Sequence, residues 1–363
     1  MSGLMCGARA ATPTVDFKLL NRNCVLVHAY FGEQLPMYVK KNLLLLRKTF
    51  PERRIVFITN NKQQCQEIAK RGIEISEFNV YERESRYISN HMKRDSSFRN
   101  DFWFLSLIRL IAVCDWQIRN DTPLLHIESD VILFPNFPFS KLEALQVEIA
   151  FPKSRPDLGV ASILYLNGSS TAKKLINFCA ECILESPDLN DMTLLAKLLQ
   201  RKDIFNFGIL PTAPKKISKE IGAVGVPDSQ LLEISSLSEY FEGCFDAAAF
   251  GHFFLGDDPR NNRGRKRLFQ NLYNFDLNLT NSRLSVKNSN LVASLDGFNF
   301  SLFCLHVHSK DLKAFNMKSL WVLLCLRNLQ IKRGPKSLVT YQIIKFWLGP
   351  YKHKLKKALE RFA

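Results

Sequence analysis

The chain has 363 residues, of which 46% are hydrophobic and 23% charged, a composition that supports a large folded core. Its formal net charge of +16 is high and favours an anionic partner: nucleic acid, an anionic lipid or a phosphorylated substrate. The nine cysteines are scattered and include one isolated CxxC pair, which favours a reducing compartment over a disulfide framework. No apolar run has the length of a membrane span or the position of a secretory signal, so a cytoplasmic location is predicted.

After a lead-in of about 20 residues without a strong pattern, apolar runs rich in β-formers alternate with helical patterns. Strands are predicted at 24–30, 54–59 and 73–78, and helices at 37–49 and 62–71. This β-α-β-α-β order predicts a parallel sheet with right-handed crossover connections.

The same alternation continues beyond a polar loop at 79–95. The further elements predicted are helices at 98–118, 169–184 and 191–200, and strands at 123–134, 148–152, 160–166 and 301–307. Residues 203–300 show only weak periodicity, and residues 311–363 have the pattern of basic amphipathic helices. The fold class predicted is therefore α/β, with a mixed, mostly parallel Rossmann-type sheet flanked by helices and a basic helical C-terminal extension.

The most informative segment is the apolar run 124–134, in which the acidic triplet Glu128-Ser129-Asp130 stands where an apolar strand ends. Side chains two residues apart on an extended segment point to the same side, so both carboxylates could bind one hard cation such as Mg²⁺ or Mn²⁺. Ligands of open α/β sheets collect at the carboxyl ends of strands, which agrees with this position. Two solvated acids in a turn at the strand end are the alternative.

In this triplet and the strand pattern before it, the chain resembles the GT-A glycosyltransferases, whose DxD motif ends a strand in the same setting. The resemblance spans roughly Cys24 to Lys310. It implies that Asp130 binds the metal that bridges the donor diphosphate. Glu128 stands where the family usually has its first Asp, and would assist through the donor ribose or a metal-bound water.

The domains implied are a lead at 1–20, a GT-A domain at 21–310 and a basic tail at 311–363. The GT-A domain would have a nucleotide-binding half at 21–135 and an acceptor-binding half at 136–310.

A second segment, Leu305-His306-Val307-His308-Ser309-Lys310, matches a late element of many GT-A enzymes, which supply a histidine to the metal and a lysine to the diphosphate. By this resemblance His308 is a metal ligand and Lys310 binds the donor. Neutral imidazole suits Mn²⁺, and an ammonium group suits phosphate. A buried histidine pair followed by a surface lysine is the alternative.

Other residues are candidates for contacts with the nucleotide. The first strand ends in His28-Ala29-Tyr30-Phe31, and the corresponding GT-A loop holds the base and ribose, so His28, Tyr30 and Phe31 are candidates, with core packing as the alternative. Arg109 is a cation in an otherwise apolar helix, and burial requires it to meet either a carboxylate or a phosphate.

An inverting transferase needs a carboxylate that acts as general base on the acceptor hydroxyl. The candidates are Asp191, Asp246, Asp257 and Asp258, although Asp246 could be a helix cap and Asp257-Asp258 a turn. The basic cluster of Arg260, Arg263, Arg265, Lys266 and Arg267 could hold phosphates or form a solvated loop face.

The tail mixes lysines with Trp347, Phe346 and Leu348, a pattern that suits an interfacial helix on anionic lipid or a basic helix packed on the domain. The predicted function is metal-dependent, hexosyltransferase-like transfer of a sugar from a UDP- or GDP-linked donor, as in polysaccharide biosynthesis. The acceptor would be a glycan, a glycolipid or other lipid-linked molecule, or another molecule with a hydroxyl group. A nucleotidyltransferase with a similar sheet is the enzymatic alternative, although the first loop has one glycine where a Gly-rich phosphate loop would be expected. A basic membrane-peripheral or nucleic-acid-binding protein is the non-enzymatic alternative; nucleic acid is disfavoured because it leaves the acidic triplet unexplained.

Overall fold

The computed structural model describes residues 24–79, 83–97, 101–155, 158–216, 228–262, 267–269 and 279–333. Its strands are β1 Val25–Tyr30, β2 Ile55–Thr59, β3 Glu74–Glu77, β4 Leu124–Ile127, β5 Val131–Leu133, β6 Ile149–Arg155, β7 Leu158–Gly159, β8 Ile163–Leu166, β9 Phe207–Leu210, β10 Gly243–Cys244, β11 Arg283–Lys287, β12 Asn290–Leu295, β13 Phe298–Leu302 and β14 Cys304–His306. Its α-helices are α1 Met37–Thr49, α2 Gln66–Ala69, α3 Arg83–His91, α4 Phe102–Asn120, α5 Phe139–Glu143, α6 Ser169–Glu185, α7 Asp191–Leu198, α8 Asp228–Ser235, α9 Ser238–Phe241, α10 Ala249–Leu255 and α11 Met317–Arg333.

The main sheet has eight strands in the order β3-β2-β1-β4-β8-β6-β7, with β9 also paired to β6. The pairs among β3, β2, β1 and β4 are parallel, as is the pair of β6 with β9, whereas β8 runs antiparallel to both of its neighbours. The predicted α/β class, with a mixed and largely parallel sheet flanked by helices, is thereby confirmed.

Helices cover both faces of this sheet, which is why its strands read as continuous apolar runs. Successive residues of β1 face opposite cores: Val27 and Ala29 pack with α4 and α6, and Leu26 packs with α1. The helix predicted at 37–49 has the same bounds in the structure, where Pro36 precedes its first turn.

The prediction of one strand at 123–134 was wrong, because the chain turns at the acidic triplet. Before the turn, β4 belongs to the main sheet; after it, β5 pairs with β14 in a separate two-stranded ladder. The weakly periodic stretch 203–300 also holds structure that its pattern did not indicate, since β11, β12 and β13 form an antiparallel meander that β10 joins in parallel.

The C-terminal part of the description ends within the predicted basic tail. Helix α11 forms the start of that tail, and the rest of it, at 334–363, lies outside the described residues, as does the lead-in at 1–20. Among the described helices, none combines the length and the apolarity that crossing a bilayer requires.

Candidate active site

The acidic triplet forms a tight turn at the carboxyl end of β4. The Val131 amide donates a hydrogen bond to the Glu128 carbonyl at 3.0 Å, which closes the turn. The Glu128 amide donates to the carbonyl of Ser162 at 3.0 Å, and this hydrogen bond holds the turn to the residue just before β8. Asp130 is buried at 8% exposure and Glu128 is half-buried, so both carboxylates need cationic partners.

A side chain from α1 holds this turn in place. Asn42 is 2% exposed, and its amide group donates to the carbonyls of Ser129, at 3.1 Å, and Val131, at 2.8 Å. Its neighbours on the same face, Val39 and Leu43, are buried apolar residues. Asn42 was not predicted as a site residue, although a single amide on an otherwise apolar helix face is a sequence signal that could have indicated it.

Replacing Asn42 by alanine is expected to destabilise the fold by about 2–3 kcal/mol, because two buried carbonyls lose their donor. The expected companion effect is weaker Mn²⁺ binding, since the acidic turn loosens. Urea unfolding and calorimetric titration with Mn²⁺ would measure both. Asn120→Ala is the control: its exposed amide donates to one carbonyl, of Trp116, at 2.8 Å, and its loss should cost less than about 1 kcal/mol. Equal effects of the two variants would contradict the assigned role of Asn42.

The pairing of β5 with β14 brings a histidine to the two acids. In this antiparallel ladder His306 is opposite Val131, and the Val307 amide donates to the Asp130 carbonyl at 2.7 Å. As a result, His306 Nε2 lies 3.4 Å from Asp130 Oδ1 and 3.6 Å from Glu128 Oε2. One ligand atom from each of Glu128, Asp130 and His306 lies within 4.8 Å of the others, within the part of the chain that is described.

The structure thus brings His306, rather than the predicted His308, between the carboxylates. The two imidazole rings stack, with centroids 3.9 Å apart and an interplanar angle of 18°. Burial and the neighbouring His306 lower the pKa of His308 well below its ordinary value, so that its ring is neutral. His308 is not one of the three residues whose ligand atoms meet within 4.8 Å, and its role as a ligand stays a prediction.

Two cations complete the charge pattern around the turn. Lys310 Nζ lies 2.9 Å from Asp130 Oδ2 and 3.3 Å from Asp258 Oδ2. Arg109 Nη2, from α4, lies 3.1 Å from Glu128 Oε1 and 3.8 Å from Asp191 Oδ2. The buried Arg109 therefore has carboxylate partners, one of the two outcomes that its position in an apolar helix required.

The pKa shifts of these groups follow from their neighbours. Burial alone would raise the pKa of Asp130, but Lys310 and His306 lower it well below its ordinary value. Burial raises the pKa of Glu128, and Arg109 and His306 offset only part of that effect. Burial would lower the pKa of His306, but the carboxylates of Asp130 and Glu128 raise it. The carboxylates of Asp130 and Glu128 therefore stabilise positive charge on the imidazole of His306.

The donor set fits a divalent metal ion. Carboxylate oxygens are the ligands that Mg²⁺ and Mn²⁺ prefer, and imidazole is a good additional ligand for Mn²⁺. His306 Nδ1 is buried without a hydrogen-bond partner among the described residues, and Nε2 is the ring nitrogen that faces both carboxylates.

These groups line a cavity of about 340 Å³, a size typical of small-molecule sites. Its wall includes most of the predicted site residues, namely Tyr30, Phe31, Arg109, Glu128, Asp130, Asp191, Asp258, His308 and Lys310. It also includes residues that were not predicted as site residues, among them Tyr38, Trp103, Met192 and His306, as well as Arg260 from the predicted basic cluster.

Three predicted site residues are not part of the cavity wall. His28 is fully buried, and burial together with His126 lowers its pKa to about 3. Asp246 accepts hydrogen bonds from the amides of Phe250, Gly251 and His306 at 2.9–3.0 Å, and so fastens α10 to β14. Asp257 accepts from the amide and the guanidinium of Arg267, both at 2.9 Å.

Asp191 and Asp258 are the two candidate bases that face the cavity. Asp258 is bound by the guanidinium of Arg260, through contacts of 2.5–3.1 Å, and by Lys310. Asp191 begins α7; its Oδ1 accepts from the Met192 amide at 3.0 Å, and its Oδ2 is 3.8 Å from Arg109. Asp191 is therefore the less engaged carboxylate of the two.

No protein-family model matches the chain, and no curated protein matches its sequence. Among solved structures, mouse xyloside xylosyltransferase 1 is 8% identical, with a TM-score of 0.38 over 58% of this chain and 93% of that one. The galactosyltransferase LgtC is 10% identical, with a TM-score of 0.37 over 58% of this chain and 83% of that one. The CTP:phosphocholine cytidylyltransferase LicC of Streptococcus pneumoniae is 13% identical, with a TM-score of 0.31 over 52% of this chain and 90% of that one.

Glycosyltransferases recur among the matching chains. These likenesses are too distant to assign a family or an activity.

Proposed function

We propose that this protein is a metal-dependent glycosyltransferase that moves a sugar, of the hexose class, from a UDP- or GDP-linked donor to a hydroxyl group of a glycan or lipid-linked acceptor. The observation that carries the proposal is the meeting of Glu128, Asp130 and His306 within 4.8 Å at the wall of a cavity that also exposes Arg109 and Lys310. A site with both a hard-cation centre and basic groups beside it suits a diphosphate, whose oxygens would take over part of the pairing that Arg109 and Lys310 make with carboxylates.

The residues divide into roles around such a donor. Glu128, Asp130 and His306 would hold Mn²⁺ or Mg²⁺, which when bound supplies positive charge to the departing diphosphate. Lys310 and Arg109 would bind phosphate oxygens and so stabilise the charge that develops on them. Tyr30, at the end of β1, would offer aromatic surface to the nucleotide base, whereas Phe31 is 5% exposed and packs against Phe78 in the core.

The acceptor hydroxyl needs a carboxylate if the reaction inverts the anomeric centre. Asp191 suits this role better than Asp258, because Asp258 is held by Arg260 and Lys310. The pairing of Arg109 with both Glu128 and Asp191 would couple the acceptor side of the cavity to its donor side.

A thermal-shift panel of nucleoside diphosphates and nucleotide sugars, each with and without Mn²⁺, tests the proposal. One nucleotide should raise the melting temperature by roughly 5 °C at a hundredfold excess over its Kd, and only when metal is present. Nucleoside triphosphates form the comparison arm. A shift by triphosphates alone would favour a nucleotidyltransferase, and no nucleotide shift with or without metal would contradict both enzymatic proposals.

A further inference from the structure

Helix α11 has apolar residues on two faces that lie roughly 120° apart around its axis, and only one of them is used by the core. Leu320 and Leu324 are 0% and 1% exposed and belong to the core beneath the β11–β13 meander. The side chain of Asn328 fixes the rotation of the helix: its amide donates to the Leu284 carbonyl at 2.7 Å, and its oxygen accepts from the Leu284 amide at 3.2 Å.

The second face presents an apolar stripe to solvent. Trp321 is 42% exposed, Leu329 is 47% exposed, and the exposed Cys325 lies between them. Their spacing of four residues puts them on one line along the helix. Within the residues that the structure describes, nothing covers this stripe. Exposed apolar side chains that line up on one helix face, with a tryptophan among them, suit a contact with a protein or a membrane.

The positive charge around the stripe favours an anionic membrane over a second copy of this chain. Lys318 is exposed one turn before Trp321, and Arg283 and Lys287 are exposed on β11, against which α11 packs. Residues 279–333 contain eight Lys and Arg against two acids, and 334–363 contain seven against one, so this part of the chain carries most of the formal +16. A second copy of the chain would bring the same positive charge to the contact, which disfavours self-association.

We propose that the face of α11 formed by Lys318, Trp321, Cys325 and Leu329 docks on an anionic lipid bilayer. Apolar side chains with a large tryptophan enter the interface, and the lysines and arginines beside them remain at the level of the anionic headgroups. The surface differs from the tail aromatics at 341–351 on which the sequence-based membrane prediction depended.

The docked helix is connected to the cavity wall. Phe315, just before α11, is 4% exposed, and its ring centroid lies 6.2 Å from that of Tyr38, which lines the cavity. Lys310 is also seven residues before the first residue of the helix. Docking of α11 would therefore bring the cavity close to the membrane surface, whatever reaction the cavity performs.

Sedimentation of the full chain with vesicles tests this surface. The wild type should bind vesicles of phosphatidylglycerol and phosphatidylcholine, and bind phosphatidylcholine alone much more weakly. The double variant Trp321→Ser/Leu329→Ser should lower the partition coefficient by at least about tenfold without a change in net charge. Lys318→Gln should lower binding less, and reduce its dependence on salt concentration.

Leu184→Ser/Leu232→Ser is the matched control, since it removes two leucines that are 61% and 54% exposed on α6 and α8. It should bind vesicles like the wild type. Unchanged melting temperatures would show that both double variants fold. Equal vesicle binding by the two double variants, or no preference of the wild type for anionic lipid, would overturn the proposal. So would a wild-type dimer that Trp321→Ser/Leu329→Ser converts to a monomer in the absence of lipid.

Discussion

Asp130→Asn is expected to weaken Mn²⁺ binding by more than about a hundredfold and to reduce metal-dependent turnover to background. Asparagine keeps the size of the side chain and one oxygen for Lys310, but it removes the negative charge from the centre of the ligand cluster. Loss of an outer-shell partner already costs about 10–100-fold in metal affinity, so loss of an anionic ligand should cost more. Mn²⁺ titration by electron paramagnetic resonance measures binding without reference to turnover.

Asp296→Asn is the control for this charge change. Asp296 is an exposed aspartate in the β12–β13 turn with a φ of 46°, a left-handed conformation that asparagine also tolerates. It should bind Mn²⁺ and turn over like the wild type. Wild-type Mn²⁺ affinity in Asp130→Asn would contradict the site.

The same titration distinguishes the two histidines. His306→Gln should lose Mn²⁺ affinity because its Nε2 lies 3.4 Å from the Asp130 carboxylate. His308→Gln should lose much less Mn²⁺ affinity, because the His308 ring stacks on His306 and is not one of the three groups that meet within 4.8 Å. The reverse ranking would restore the ligand choice drawn from the sequence.

The acidic triplet could be found from the sequence because its local pattern is strong. An apolar run that contains two acids identifies the end of a buried strand, and periodicity placed the helices that surround it. The triplet's setting at the carboxyl end of β4 was therefore predictable, together with nine of the 21 residues that line the cavity.

The partner of the triplet was not predictable in the same way. His306 and His308 alternate along one segment, and both fit the late histidine of the resemblance. The choice between them depends on the register of β14 against β5, which places His306 opposite Val131. That register joins residues 175 positions apart in the chain, and no local pattern encodes it. The same holds for Asn42, whose partners at Ser129 and Val131 lie 87 and 89 residues away.

Gly251→Ala is expected to lower both the stability of the fold and the affinity for Mn²⁺, because α10 packs at Gly251 against the backbone of His306. Gly251 is buried on α10, and a Cβ there would lie 1.8 Å from the carbonyl oxygen of His306 and 2.7 Å from its carbonyl carbon. Both atoms belong to the backbone, so no side-chain rotation relieves the clash. We expect a loss of about 3 kcal/mol in the free energy of unfolding, at the upper end of the cost of overpacking.

The variant should also weaken Mn²⁺ binding, although residue 251 does not face the cavity. Asp246 accepts hydrogen bonds from the amides of both Gly251 and His306. A displacement of α10 should therefore also displace β14, and move the His306 imidazole away from Asp130. Gly208→Ala is the control, because its Cβ would meet ordinary contacts no closer than 3.6 Å, and its stability should change by less than about 1 kcal/mol. Urea unfolding and Mn²⁺ titration on both variants measure the two effects. A stable Gly251→Ala protein with wild-type metal affinity would show that His306 is not a ligand or that α10 does not position it. A joint loss in this variant alone would mean that the fit of α10 against β14 delivers the third ligand to the acidic turn.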